Sequence, residues 1–152
     1  MNVDREASLD REVRHCVYDH VMREGLPPTI AQTASTLSVV PDDVSASFRR
    51  LADAHDLVLQ KGRGETLMAN PFSAVPTPFL VRAGDRSWYG NCIWDAMGIS
   101  AMLQQDAVIE TPCGCCGTAM QVTVVNGSLE EAPGIAHLAV PAARWWDDIV
   151  FT

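Results

Sequence analysis

The order of apolar patterns predicts an α+β fold, with helices gathered in the first half of the chain and strands in the second. Three observations carry this. Apolar residues recur at helical spacing through residues 1–70, short β-like runs fill residues 79–152, and Asn126-Gly127 marks a tight hairpin turn.

Leu9, Val13, Cys16, Val17 and Val21 fall on one face of a first helix, which Gly25, Pro27 and Pro28 stop. Thr29 to Gln32 reads as a capping box opening a second helix that carries Ile30, Ala34 and Leu37. Pro41 sits near the start of a third, with Val44, Phe48, Leu51 and Ala52 facing inward. Two short apolar strands then flank Lys61-Gly62-Arg63-Gly64 as a hairpin. Three helices and a hairpin, residues 1–70, have the outline of a winged helix-turn-helix. A DNA-docking role is disfavoured. Residues 1–70 hold eight Lys and Arg against eleven Asp and Glu, and the third helix opens with Asp42-Asp43, the wrong sign for phosphates. A structural or lid role fits better.

Residues 71–78, rich in proline, read as a surface linker. Residues 79–152 then form an α+β subdomain, a mixed or antiparallel sheet with one central helix over 92–103. Strands are expected near 79–83, 87–89, 106–111, 118–125 and 134–140. A last strand is expected over 147–152, approached through 141–146.

The 152 residues are 47% hydrophobic and 20% charged, with a net charge of −8, which suits a folded protein and opposes nonspecific binding to nucleic acid or anionic membranes. No apolar run approaches the roughly 20 residues of a membrane span. The charged N-terminal stretch shows no signal peptide, so a cytoplasmic location with reduced thiols is the expectation. Five cysteines, three of them within four positions, make a poor disulfide framework and a better thiol or metal site.

The chemistry concentrates in Gly90-Asn91-Cys92-Ile93-Trp94-Asp95. Asn91 is a good N-cap residue. It would place Cys92 in the first helical turn, where backbone N–H groups and the helix dipole favour a thiolate. Asp95, three residues on, shares the face of Cys92. Among Ile93, Trp94, Met97 and Ile99 its carboxyl would be desolvated and its pKa raised, as a proton donor needs. The plainer reading makes Cys92 a small core residue and Asp95 a first-turn acid. Cys113-Gly-Cys115-Cys116-Gly is either a glycine turn with incidental thiols or a set of metal ligands. Zinc is disfavoured because only Cys92 and His137 could complete its four ligands.

The segment Arg86 to Asp95, the Cys-Gly turn before Thr118 to Val124 and the Trp145-Trp146-Asp147-Asp148 approach to the end resemble the alkylmercury lyases. The resemblance covers most of the chain and is most specific around Cys92 and Asp95. It implies capture of organic mercury by a thiolate, sharing of the metal with a second cysteine, and proton delivery from an aspartate to the leaving carbon. Carried over, Cys92 is the thiolate ligand, Asp95 the proton donor and metal neighbour, and Cys113 a structural cysteine. By the resemblance the family's second catalytic cysteine falls just after Thr152: either the chain is shortened, or another thiol such as Cys115 or Cys116 shares the metal in its place, or mercurials are no longer cleaved. Hg(II) is then bound substrate and product, and no organic cofactor is required. Two rivals remain: a thiol-based metal or organometal sensor whose winged-helix half contacts DNA, and an enzyme of the same fold acting on another small molecule.

Overall fold

The computed structural model describes residues 3–130 and 134–150. Helix α1 (Val3–Glu24) buries Val13, Val17 and Val21, one residue per turn on a single stripe. Thr29 caps α2 (Ile30–Leu37) in a full capping box: its hydroxyl accepts from the Gln32 N–H while the Gln32 side chain accepts from the Thr29 N–H. Helix α3 (Pro41–Asp53) starts on its proline and seats Val44, Phe48 and Leu51 against α1 and α2. Asp10 of α1 pins α3. It accepts from the Ser47 hydroxyl at 2.6 Å and from both Nε and an NH2 group of Arg50 at 2.8 and 2.7 Å.

The strands are β1 (Val58–Leu59), β2 (Thr66–Ala69), β3 (Phe72–Ser73), β4 (Leu80–Ala83), β5 (Arg86–Gly90), β6 (Ala107–Pro112), β7 (Ala119–Val125) and β8 (Ser128–Leu129). They form one antiparallel sheet in the order β1-β2-β3-β5-β4-β6-β7-β8. Helix α4 (Ile93–Leu103) lies across β3, β4, β5 and β6. Its Ala96 and Ile99 join Phe72, Val81, Trp88 and Ile109 in the core beneath it. Burying an aromatic ring such as Phe72, wholly removed from solvent, contributes about 2–3 kcal/mol. Val21 of α1 belongs to this second core, and its carbonyl accepts from the buried Trp88 Nε1 at 2.8 Å. Tyr18 packs against both cores.

The helices, the hairpin around Lys61 to Gly64 and the Asn126-Gly127 turn, with φ of +50° and +73°, follow the sequence expectations. Three local expectations do not hold. Inside the expected linker, Phe72 and Ser73 are buried and pair with β2 on one side and β5 on the other, so the sheet runs through it. Residues 134–140 form no strand; they are exposed but for a half-buried Val140, leaving no apolar face to pin a register. Residues 142–147 wind into a 3-10 helix (Ala142–Asp147), and residues 148–150 are not a strand. Phe151 and Thr152, the end of the expected last strand, lie outside the described residues. Trp146 of the 3-10 helix stacks on His55, just past α3, with ring centroids 3.9 Å apart and planes 8° from parallel.

Candidate active site

The site sits where β5 hands the chain to α4. Gly90, the last residue of β5, lies so close to the first turn of α4 that a Cβ there would come 2.7 Å from the Ala96 nitrogen. Only glycine lets strand and helix approach this way. The approach brings Cys92 and Asp95 into one corner above the sheet end.

Sequence rules put Asn91 at the N-cap, but Cys92 takes that position. Its backbone is extended, and its Sγ accepts from the Asp95 N–H at 3.5 Å. The Asn91 amide is engaged elsewhere. Nδ2 donates to Asp95 Oδ2 at 3.0 Å, to Asn70 Oδ1 at 3.1 Å and to the Pro71 carbonyl at 3.3 Å. Three acceptors around one nitrogen fix which way the amide faces. Its Oδ1 is buried without a hydrogen-bond partner among the described residues. Behind it, the Tyr18 hydroxyl of α1 donates to the Asn70 carbonyl at 2.9 Å. A connected path therefore leads from α1 through Asn70 and Asn91 to the Asp95 carboxyl.

Asp95 and Cys92 are both half-buried. Burial pushes the Asp95 carboxyl above its ordinary range, and the Asn91 hydrogen bond pulls it only part of the way back. Burial also pushes the Cys92 thiol up. The Asp95 N–H opposes this rise, the Asp95 charge adds to it, and the Trp94 N–H opposes it again. The expected thiolate at a helix terminus is thus overruled, because desolvating the sulfur outweighs the N–H groups that solvate its charge. Trp94 is 61% exposed, so it does not help to desolvate Asp95 as its position in the sequence suggested.

Cys113, Cys115 and Cys116 occupy the turn from β6 to β7. The Cys115 and Cys116 N–H groups point at the Cys113 sulfur and hold its pKa below the ordinary thiol range. Cys115 and Cys116 are exposed, Cys113 and Cys16 are half-buried, and all five cysteines are free thiols. His137 lies in the exposed stretch 134–140. Among the described residues, no three His, Cys, Asp or Glu side chains converge as ligands of one metal. No helix among them is long and apolar enough to cross a membrane. Sequence reasoning missed Asn70 and Tyr18, whose contributions are tertiary and leave no local signal. It also gave Asn91 a capping role in place of its contact with Asp95.

Three comparisons bear on this arrangement. An alkylmercury lyase of Streptomyces lividans is 27% identical over 129 residues, covering 81% of this chain and 56% of that protein. The chain thus spans little more than half the length of that relative. The crystal structure of the mercury-bound form of MerB2 superposes with a TM-score of 0.63 at 20% identity, covering 85% of this chain and 66% of that one. At that identity the likeness establishes the fold. The family model for alkylmercury lyase, MerB, matches residues 72–152, more than half of the chain and all of the Cys92–Asp95 corner. The chain belongs to the alkylmercury lyase family.

Proposed function

We propose that the chain cleaves carbon–mercury bonds by protonolysis, with Cys92 as sulfur ligand and Asp95 as proton donor. The observation that carries this is the shared corner: Asp95, its carboxyl lifted by burial, donates its backbone N–H to the Cys92 sulfur at 3.5 Å. Sulfur suits a soft cation such as Hg(II), and a carboxyl whose burial raises its pKa holds its proton to higher pH than a free one does.

In this reading the Cys92 sulfur bonds to the mercury of an R–Hg(II) species and loses its proton. Asn91 donates to Oδ2 of Asp95, which marks Oδ2 as the acceptor and leaves the acidic proton on Oδ1. That proton moves to the carbon as the carbon–mercury bond breaks, and the bonding pair becomes the new C–H bond. Hydrocarbon leaves, and the Asp95 carboxylate and Cys92 thiolate remain beside Hg(II). No organic cofactor takes part. The N-terminal three-helix and hairpin unit, winged-helix-like in outline, acts as support: Tyr18 reaches from α1 to Asn70 at the back of the site.

The test separates capture from cleavage. Cys92→Ala is expected to lose mercurial binding. Asp95→Asn is expected to bind the mercurial and lose hydrocarbon release by about 10²–10⁴-fold, since an amide has no transferable proton at neutral pH. Equal mercurial binding by parent and Cys92→Ala protein would end the proposal.

A further inference from the structure

The β6–β7 turn is a built dithiol. Cys113 and Cys116 are spaced as C-x-x-C and followed by Gly117, whose φ of +72° is left-handed. The turn is closed at both ends. Pro112 pairs with Ala119, the Cys113 N–H donates to the Thr118 carbonyl at 2.8 Å, and the Gly117 N–H donates to the Cys113 carbonyl at 2.8 Å. The Cys115 and Cys116 N–H groups face the Cys113 sulfur, forming the backbone concavity in which proteins hold anionic sulfur. The Cys116 sulfur lies 3.2 Å from the Thr118 hydroxyl. Packing does not account for the Cys115 and Cys116 thiols, which are exposed.

Sheet register places this turn beside the Cys92 corner. Leu80 of β4 pairs with Tyr89 of β5 on one side and with Glu110 of β6 on the other. From that row β5 continues to Gly90 and then Cys92, while β6 continues the same way to Pro112 and then Cys113. Both chains leave the sheet at the same end, separated laterally by about 10 Å, two strand spacings.

We propose that Cys113 and Cys116 form a two-sulfur site for Hg(II) that takes over the cation protonolysis leaves at Cys92. The inference rests on the lyase reading above. Two thiolates satisfy a soft cation that accepts two ligands, whereas a structural zinc takes four. The transfer balances. Starting from Hg(II) bound to Cys92 and one exchangeable ligand, the bond to Cys92 breaks and bonds to Cys113 and Cys116 form. Of the two thiol protons released, one returns to the Cys92 sulfur and the other leaves with the displaced ligand. No electrons are exchanged.

The experiment loads the full chain with inorganic mercuric chloride, challenges it with excess glutathione, and reads retained metal by native mass spectrometry and sulfur-to-mercury charge-transfer absorbance. Cys92→Ser protein is expected to keep its Hg(II). In that background Cys116→Ser should weaken retention on the order of 10²-fold, through loss of the chelate, and Cys115→Ser should leave it unchanged. Cys116 is exposed, so its substitution does not threaten folding, and Cys113→Ser serves as a second arm with a melting curve as control. In parent protein carrying equimolar Hg(II), iodoacetamide should label Cys92 and spare Cys116. The proposal is overturned if Cys92→Ser alone empties the protein, if Cys115→Ser does the damage of Cys116→Ser, or if loaded parent labels at Cys116 and not Cys92. No carbon–mercury bond breaks in this assay, so its failure is distinct from a failure of hydrocarbon release.

Discussion

The Asn91 amide holds the Asp95 carboxyl at 3.0 Å while its remaining contacts reach Asn70 and Pro71, so one side chain ties the acid to the start of β3. Its hydrogen bond lowers the Asp95 pKa against the rise from burial. Asn91→Ala should therefore raise that pKa further. The proposed protonolysis needs the protonated acid, so on that reading cleavage should decline as pH rises through the Asp95 pKa, and in Asn91→Ala this decline should move to higher pH. A purely structural role for Asn91 would lower the rate and leave the pH profile in place.

The same carboxyl bears on stability. A group whose folded pKa is raised gives stability that is fully present below its unfolded pKa and lost as pH rises through the folded value. Parent protein thus carries the cost of a buried carboxylate at neutral pH, and Asp95→Asn does not. The variant should melt higher than parent at pH 7, and the two should converge below about pH 4, where Asp95 is protonated in both states. Melting curves across that range check this, and a constant difference at every pH would contradict it.

Thiol reactivity should follow the electrostatics around each sulfur. The turn holds Cys113 low, and burial lifts Cys92 and Cys16. Brief alkylation of metal-free protein near neutral pH, read by peptide mapping, should therefore label Cys113 ahead of Cys92 and Cys16. Faster labelling of Cys92 would restore the helix-terminus argument that its burial overrules.

In the helical half, burial pushes Asp10 up, but the hydrogen bonds from Arg50 and Ser47 and the Arg50 charge together hold it below its ordinary range. A depressed carboxylate gives stability present above its unfolded pKa and lost as pH falls through the folded one. Asp10→Asn should cost about 1–3 kcal/mol at neutral pH, and the difference should fade in acid. Denaturant titrations at both ends of that range measure it.

DNA binding provides a sharp contrast. Helix α3 opens with Asp42 and Asp43, and residues 1–70 carry an acidic excess. Micromolar protein at physiological salt should leave duplex DNA unshifted. A sequence-dependent shift with a steep salt slope would favour a sensor role for this half.

Periodicity made the helices legible because each buries a continuous stripe, and Gln32 after Thr29 announced its own cap. The Cys92–Asp95 spacing placed the two residues in one helical turn, where the Cys92 sulfur accepts from the Asp95 backbone N–H. What escaped depends on partners distant in sequence. Asn91 reads as a cap until Asn70, Pro71 and Asp95 surround it, and Cys92 then inherits the position. Burial around Cys92, which reverses the expected shift of its thiol, is likewise a tertiary property. Prolines made 71–78 look like a linker. Yet two residues between them complete a sheet whose other strands supply the register.

That short strand has a consequence for how the chain can be handled. Phe72 and Ser73 occupy a place in the sheet between β2 and β5, and no other described strand joins those two neighbours. Severing the chain within 71–78 would break one of the two pairings of β3 and leave each fragment with a newly bare row of N–H and C=O groups on the edge that had been joined. Exposed edges of that kind recruit other copies of themselves, so fragments made for convenience should be stickier than the parent. By filling that place, the proline-rich stretch keeps the edges of β2 and β5 paired.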